Sequence, residues 1–390
     1  MSKFFNNIKK IFVKSKGLFS LGFAAIVSNG IGGLFWLYMA SLLTVEDYGK
    51  ITYLISIAII ASTISLAGMT NTMTVFRAKG EKIQSTIYLI GIISPIITSL
   101  ILYVFFIQDI TISLYVVGYV LFTLVTAELI GLKSYVKYSK SILIQKILLV
   151  VFAIGLYHVI GFEGLILGMA LSFLPFLIVV FKSFKNEKVN FTGIKTKINF
   201  VVNSYLLDLS NAFNGSLDKI IIAPILGYAL LGNYQLGLQF LALLSILPGI
   251  FYQYILPQDS SGNPTKTVKK IMILISVLVA IGSVMLSPFI IPKLFPNFVE
   301  AIEVIQIMSI SIISSTIILT YVSKYLGRTK SKIVIIGSGI YLLVQIPTLL
   351  IFSQYWGING AAISLLIASI IHAAYFVVID NFFKRSKIDS

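Results

Sequence analysis

One stretch of the chain sets acid, amide and amine side chains where hydrocarbon is expected. It runs from Ser204 to Tyr234 and reads SYLLDLSNAFNGSLDKIIIAPILGYALLGNY. At about 100° per residue of helix, Ser204, Asp208, Asn211, Asn214, Gly215, Asp218 and Lys219 fall within a sector about 140° wide. Leu206, Leu209, Phe213, Leu217 and Ile220 fall on the opposite side. One side of such a helix suits lipid or protein packing, and the other suits water or a polar ligand. A charge near the centre of a bilayer costs on the order of 2.5–3.5 kcal/mol, so it faces a cavity or a partner. The whole sector is polar, which points to a helix that lines a path more than to one isolated ion pair.

Other polar groups share the apolar background. Thr52, Ser56, Thr63, Thr70 and Thr74 lie within about 40° of one another at the helical period, a hydroxyl seam expected either to line a cavity or to bond back to its own helix. Gln235, Gln239 and Gln253 share a face with Gly249, and buried amides in lipid need partners. Arg77, Lys146, Lys219 and Lys324 are the cations that could meet a phosphate. Arg77, Lys146 and Lys324 stand near the inner ends of spans, where long basic side chains reach the interface and mark orientation. Lys219 stands where orientation signals are not expected, so it carries the stronger functional reading. Glu128, His158, His372 and Asp380 lie near span ends and read as interfacial. The chain shows no metal-ligand cluster, no nucleophile–base arrangement and no phosphate-cradling glycine loop. It therefore does not read as an enzyme, and it carries no nucleotide-binding domain that could power transport with ATP.

The background is membrane. Of 390 residues, 57% are hydrophobic and 11% charged, against roughly 25% charged in soluble domains; the mean hydropathy is +0.97. Windows of about 20 apolar residues give twelve spans, near 18–42, 51–75, 86–107, 111–131, 141–160, 163–182, 200–222, 231–255, 270–291, 301–322, 333–353 and 358–380. With the N-terminus inside, the 30 Lys and Arg residues fall in inward segments, all but Lys50, Lys219 and Lys293. These segments include Lys3, Lys9, Lys10, Lys14 and Lys16 at the start and Lys384, Arg385 and Lys387 at the end. This alternation places both termini in the cytoplasm of a multi-pass cell-membrane protein. It also accounts for the net charge of +16 without nucleic acid as a partner. The first apolar run is too long for a signal peptide and reads as a retained span. Without cysteine, disulfides and thiolate metal sites are excluded.

Internal repeats follow from two shifts. Sliding the chain by 183 residues lays MASLLTVEDYG, ending at Gly49, over IAPILGYALLG, ending at Gly232; a shift of 196 lays Gly161 and Gly164 over Gly357 and Gly360. In the same order and at equivalent places, the matches predict an all-α membrane fold of two six-helix lobes. An axis along the membrane normal relates the lobes as a pseudo-twofold. The lobes are residues 1–182 and 200–390, joined by a cytoplasmic connector at 183–199. Pro95, Pro175, Pro248 and Pro347 interrupt their spans as candidate bends.

Three segments carry a family likeness. LYMASLLTVEDYGKITYLISI resembles the first-to-second helix turn of polysaccharide flippases, with Val45 for the usual Pro and Tyr48 for Phe. SLDKIIIAPILGYALLGNYQLGLQF is similar to their seventh-helix pattern, with Asp218 and Lys219 at the Asp-Arg pair and Gly232 and Tyr234 at the Gly-x-Tyr. YLGRTKSKIVIIGSGIYLLVQIPTLLIFSQYWGINGAAISLL resembles their Gly-Arg-Lys loop, eleventh helix and the start of the twelfth. The resemblance is to the Wzx-like oligosaccharide flippases of the multidrug/oligosaccharidyl-lipid/polysaccharide (MOP) exporter superfamily. It implies alternating access that carries a polyprenyl-(pyro)phosphate-linked oligosaccharide from the cytoplasmic to the outer leaflet for surface glycan synthesis. The implied partners are that substrate, membrane lipids and glycan-assembly enzymes. No cofactor is implied, with H⁺ or Na⁺ coupling through Asp208 and Asp218 as the expectation. Lys219 keeps the charge of the usual Arg but lacks its bidentate fork for phosphate. The substrate-site candidates are Thr63, Arg77, Asp208, Asn211, Asn214, Asp218, Lys219, Gln235 and Gln239. A cation or drug antiporter of the same superfamily is the first alternative. A membrane-embedded glycan polymerase is the second, and the short outer loops weigh against it.

Overall fold

The structure is a computed structural model. It describes the backbone of residues 2–385 apart from 263, 264 and 329, and the side chains of 20–382 apart from 186, 263, 264 and 329. The basic side chains at 3–16 and 384–387 that entered the orientation count lie outside the described side chains.

The described residues form helices and turns, with no strand. In chain order the helices are α1 Ser2–Leu42, α2 Val45–Leu66, α3 Met69–Ala78, α4 Gln84–Phe105, α5 Ile110–Gly131, α6 Tyr135–Ile160, α7 Phe162–Leu171 and α8 Leu177–Asn186. They continue with α9 Thr192–Lys195, α10 Ile198–Leu226, α11 Tyr228–Leu244, α12 Ile246–Ser260, α13 Lys266–Leu294, α14 Ala301–Gly327 and α15 Ser331–Arg385. Among the described residues, nine helices are long and apolar enough to cross a membrane. One of them, α15, is two spans joined at Trp356 and Gly357, where the backbone leaves the helical region. A further span is the pair α11–α12, bent by 42°. The twelfth is α10, 29 residues long, whose polar residues lower its hydropathy. The twelve expected spans are all present. Phe105, Phe289 and Leu343 are three-quarters exposed, which suits helices whose solvent is hydrocarbon.

The second span departs from the uniform helix expected at 51–75. It breaks between α2 and α3, where Ala67 and Gly68 take positive φ of 47° and 75°. A side chain at Gly68 would meet the carbonyl of Val201 and the backbone of Tyr205, so α10 packs here backbone to backbone. The break also ends the helical phase linking Thr63 to Thr70. The hydroxyls bond back to their own helix: Thr52 to the Tyr48 carbonyl at 2.6 Å, Thr63 to Ile59 at 2.9 Å and Thr74 to Thr70 at 3.1 Å. Bonding back, the second of the two expected outcomes, is what these three hydroxyls do.

The chain divides into two compact units, Met1–Phe35 with Leu54–Leu217 and Trp36–Tyr53 with Asp218–Ser390. α1, α2 and α10 each contribute to both.

Within the second unit the shift of 183 becomes a physical contact. Thr44 caps α2: its hydroxyl accepts from the Asp47 amide at 3.1 Å and donates to the Asp47 carboxylate at 2.8 Å, a local device that starts a helix. One turn on, a Cβ on Gly49 would strike the carbonyl of Tyr228, and a Cβ on Gly232 would strike the carbonyl of Val45. Val45 and Tyr228 are themselves 183 residues apart, so the crossing of α2 and α11 is reciprocal. Only glycine lets two helix backbones approach so closely.

The shift of 196 is matched in local conformation. Gly161 has φ 72° and ψ −147°, and Gly357 has φ 57° and ψ −138°. A Cβ on Gly164 would meet the Leu156 carbonyl, and one on Gly360 the Phe352 carbonyl. The same shift relates Gly131 to Gly327. Gly131 lies against the Thr74 carbonyl and Arg77, and Gly327 lies against the backbone of Asp259 and Ser260. Each sequence half therefore repeats the same helix crossings.

Candidate functional site

α10 carries the polar sector, and its groups are held in two places. In the first unit, the Asn71 amide, one turn beyond the close approach at Gly68, donates to one oxygen of Asp208 at 3.1 Å. The other oxygen of Asp208 and the amide oxygen of Asn214 are buried with no hydrogen-bond partner. Asn211 is exposed. A buried acceptor left open costs about 1–3 kcal/mol, so two on one helix face mark a place that water, a cation or a donor from a ligand can fill.

In the second unit, Asp218 is 8% exposed and anchors a compact polar cluster. One of its oxygens accepts from the Lys219 ammonium at 3.0 Å and the Lys219 amide at 2.9 Å. The other accepts from the buried Tyr234 hydroxyl at 3.1 Å. Tyr341 of α15 lies within electrostatic reach of the same carboxylate. Gln239 is buried, and Gln235 buries an unpartnered amide oxygen. The apolar surroundings are Ile222, Ala223, Leu231, Val304, Met308 and Ala361. Lys219 and Asp218 thus neutralise one another locally, which the substitution of Lys for Arg does not prevent.

Arg77 is drawn elsewhere in the first unit. Its guanidinium pairs with Glu128 at 3.2 Å and donates to the Glu81 carbonyl at 3.2 Å, while Tyr88 donates to Glu128 at 2.7 Å. Thr63 is back-bonded, as described above. Of the nine candidates, the structure brings Asp218 and Lys219 together; Asp208 and Arg77 sit in clusters of their own.

Several residues that the sequence placed at interfaces are internal. Glu128 closes the Arg77–Tyr88 cluster, and Asp380, 4% exposed, takes Lys324 and Tyr325 as donors. Asp259, which no sequence signal singled out, accepts from Lys269 at 2.5 Å, Ser323 at 2.6 Å and Thr265 at 2.5 Å. Tyr234 and Asn71 were also missed as partners of α10. The Gly-x-Tyr at the start of α11 was the available signal for Tyr234. Just beyond the spans, both carboxylate oxygens of Glu187 are buried without a partner. Burial there holds the carboxyl above the usual carboxylate range, against the pull of Arg77 and Lys82.

No group of His, Cys, Asp or Glu that could hold a metal ion is present among the described residues. No protein-family model and no curated protein matches the chain. Solved structures do. The lipid II flippase MurJ in an inward closed conformation aligns with TM-score 0.75 and 15% identity over 93% of this chain and 87% of its own. An inward-facing multidrug resistance MATE family transporter of the MOP superfamily aligns with TM-score 0.64 and 13% identity, over 93% of this chain and 94% of its own. An outward-facing structure of such a transporter aligns with TM-score 0.59 and 11% identity, over 96% of this chain and 97% of its own. At these identities the likeness is one of fold. The chain is a multi-pass membrane protein with the fold of the MOP superfamily transporters.

Proposed function

We propose that the protein is a flippase that moves a polyprenyl-(pyro)phosphate-linked oligosaccharide from the cytoplasmic to the outer leaflet by alternating access. The observation that carries this reading is α10. A membrane-length helix holds a buried Asp218–Lys219–Tyr234 cluster in one unit and open acceptors on Asp208 and Asn214 in the other. Sugars and phosphate cannot cross hydrocarbon unaided, whereas a polar, partly unsatisfied wall can replace their hydration. The resemblance of the chain's motifs to Wzx-like flippases supports the glycan-lipid substrate, and the shared fold with a lipid II flippase supports a lipid-linked one. Asp208 and Asp218 are the proposed coupling carboxylates for H⁺ or Na⁺, and membrane lipids and glycan-assembly enzymes are the proposed partners.

The shared fold with MATE transporters favours a second reading, cation or drug antiport. Proteoliposomes loaded with a fluorescent polyprenyl-pyrophosphate oligosaccharide test the first reading through exposure of the glycan to an impermeant lectin. Protein-dependent exposure that falls in Asp218→Asn supports the flippase and its helix. Absence of exposure for glycan lipids of several kinds would sink it.

A further inference from the structure

Lys146 lies near the middle of α6, roughly 16 Å along the helix from Tyr135. It is a charge inside a 26-residue apolar span. The lipid side of α6 is marked by Ile144, Ile147 and Val151, each about half exposed. At the helical period Lys146 points about 130° away from that side, between the directions of the buried residues Ser139 and Ala153. Its ammonium stands 3.8 Å from where a Cβ on Gly32 would lie, against α1. Among the described residues it makes no hydrogen bond and no ion pair.

The depth matters. The Ser139 hydroxyl donates to the Ser20 carbonyl at 3.0 Å, which sets the first turn of α6 level with the beginning of the apolar segment Ser20–Leu42 of α1. From that tie Gly32 is about 18 Å up α1, while Lys146 is about 10 Å up α6. The side chain therefore runs further into the span and ends near the middle of the membrane segment Ser20–Leu42. A lysine that marks orientation does the opposite and reaches for the interface. Beside it, α1 presents Gly22, Ala25, Asn29 and Gly32 within about 80° of arc. Asn29 is exposed, and nothing lies within 4 Å of a Cβ on Gly22. Between Gly22 and Gly32 the face carries no large side chain, has an amide on it, and has an unneutralised ammonium at one end. An uncompensated charge at this depth is costly unless something carries the opposite one.

We propose that the Lys146 ammonium, with the Asn29 amide on the same face of α1, anchors the phosphate of a lipid-linked substrate. This deepens the flippase reading and rests on it. Lys219, already held by Asp218, is left to positioning within its own cluster, and the phosphate is met in the first unit.

The test is binding by the full chain in liposomes of a fluorescent polyprenyl pyrophosphate, set against the same polyprenol without phosphate. Lys146→Gln should weaken pyrophosphate-lipid binding about tenfold to a hundredfold, the scale of a lost charge-assisted contact. Polyprenol binding should be unchanged, and Lys146→Arg should keep most of the affinity. Lys146→Met should unfold at the same temperature as wild type or higher, because it removes an unpaired charge; a lysine serving only the fold would be missed. If Lys146→Gln does not fold, Gly32→Val, which crowds the ammonium off α1, carries the same binding expectation. Wild type that prefers the pyrophosphate lipid while Lys146→Gln prefers it equally would overturn the anchor and leave the flippase standing. Wild type that does not distinguish pyrophosphate lipid from polyprenol would remove both. Inorganic pyrophosphate bound as tightly as the lipid would assign the site to a free anion and overturn the lipid-borne source.

Discussion

Replacing Gly49 or Gly232 by alanine tests the reciprocal crossing of α2 and α11. At Gly49 the new methyl would meet the Tyr228 carbonyl oxygen, with the Gly232 nitrogen at 2.7 Å and the Tyr228 carbonyl carbon at 2.8 Å. These are backbone atoms and cannot rotate away, so the helices must part by roughly 1.5 Å to bring the 1.8 Å approach to the carbonyl oxygen back to ordinary contact. A gap of that size forfeits about half or more of each dispersion contact along the crossing. Overpacking of this kind costs about 1–3 kcal/mol. In open helix the same change stabilises by about 0.5–1 kcal/mol, and Gly282 and Gly339, with nothing within 4 Å of a Cβ, supply that control. Reciprocity adds a sharper expectation. One separation accommodates both methyls, so Gly49→Ala/Gly232→Ala should cost little more than the worse single change, a departure from additivity of about 1–3 kcal/mol. Reversible unfolding in mixed SDS micelles measures all five variants. Single changes as harmless as the controls, or a double change that simply sums, would refute the crossing.

Four further outcomes follow from the geometry. Lys219→Gln should destabilise by about 3–5 kcal/mol by leaving the Asp218 charge buried without its counter-ion, and adding Asp218→Asn should restore most of the loss, read by the same unfolding assay. Asp259→Asn should weaken the cluster with Lys269, Ser323 and Thr265 by a similar amount, with limited proteolysis near Ser260 rising in step. Gly161→Ala should cost about 1–3 kcal/mol although nothing lies within 4 Å of its Cβ, because the backbone there is open only to glycine; Gly155→Ala, equally uncrowded, should not. Glu187 binds its proton more tightly in the folded state, so its charge opposes folding above the carboxylate range. Glu187→Gln should therefore raise the unfolding temperature at neutral pH, and the gain should vanish as pH falls below that range.

The spans were legible because hydrophobic length is set by the bilayer and needs no knowledge of partners. The repeat was legible because glycines at helix crossings cannot be replaced without separating backbones; Gly49 over Gly232 and Gly161 over Gly357 are each tied to a contact or a conformation. The break at Ala67–Gly68 was hidden, since hydropathy runs through it unchanged and its cause is the approach of α10, more than a hundred residues on. The roles of Glu128 and Asp380 were hidden for the same reason. An acid near a span end looks interfacial until its partner, 56 residues away for Asp380 and Lys324, is in place. On α10 the polar sector was legible as a sector, but not its division between Asn71 on one side and Tyr234 on the other. Lys146 read as an orientation signal because position along a helix does not reveal which way a long side chain runs.

Transport of a lipid-linked glycan can be set against cation or drug antiport in one preparation. Wild-type proteoliposomes would be given a fluorescent polyprenyl-pyrophosphate oligosaccharide and a cationic dye together, under an imposed H⁺ or Na⁺ gradient, and both movements followed. Glycan lipid crossing to the opposite leaflet while the dye stays put is the predicted result. Dye moving against the ion gradient with the glycan lipid immobile would contradict the flippase and establish the antiporter.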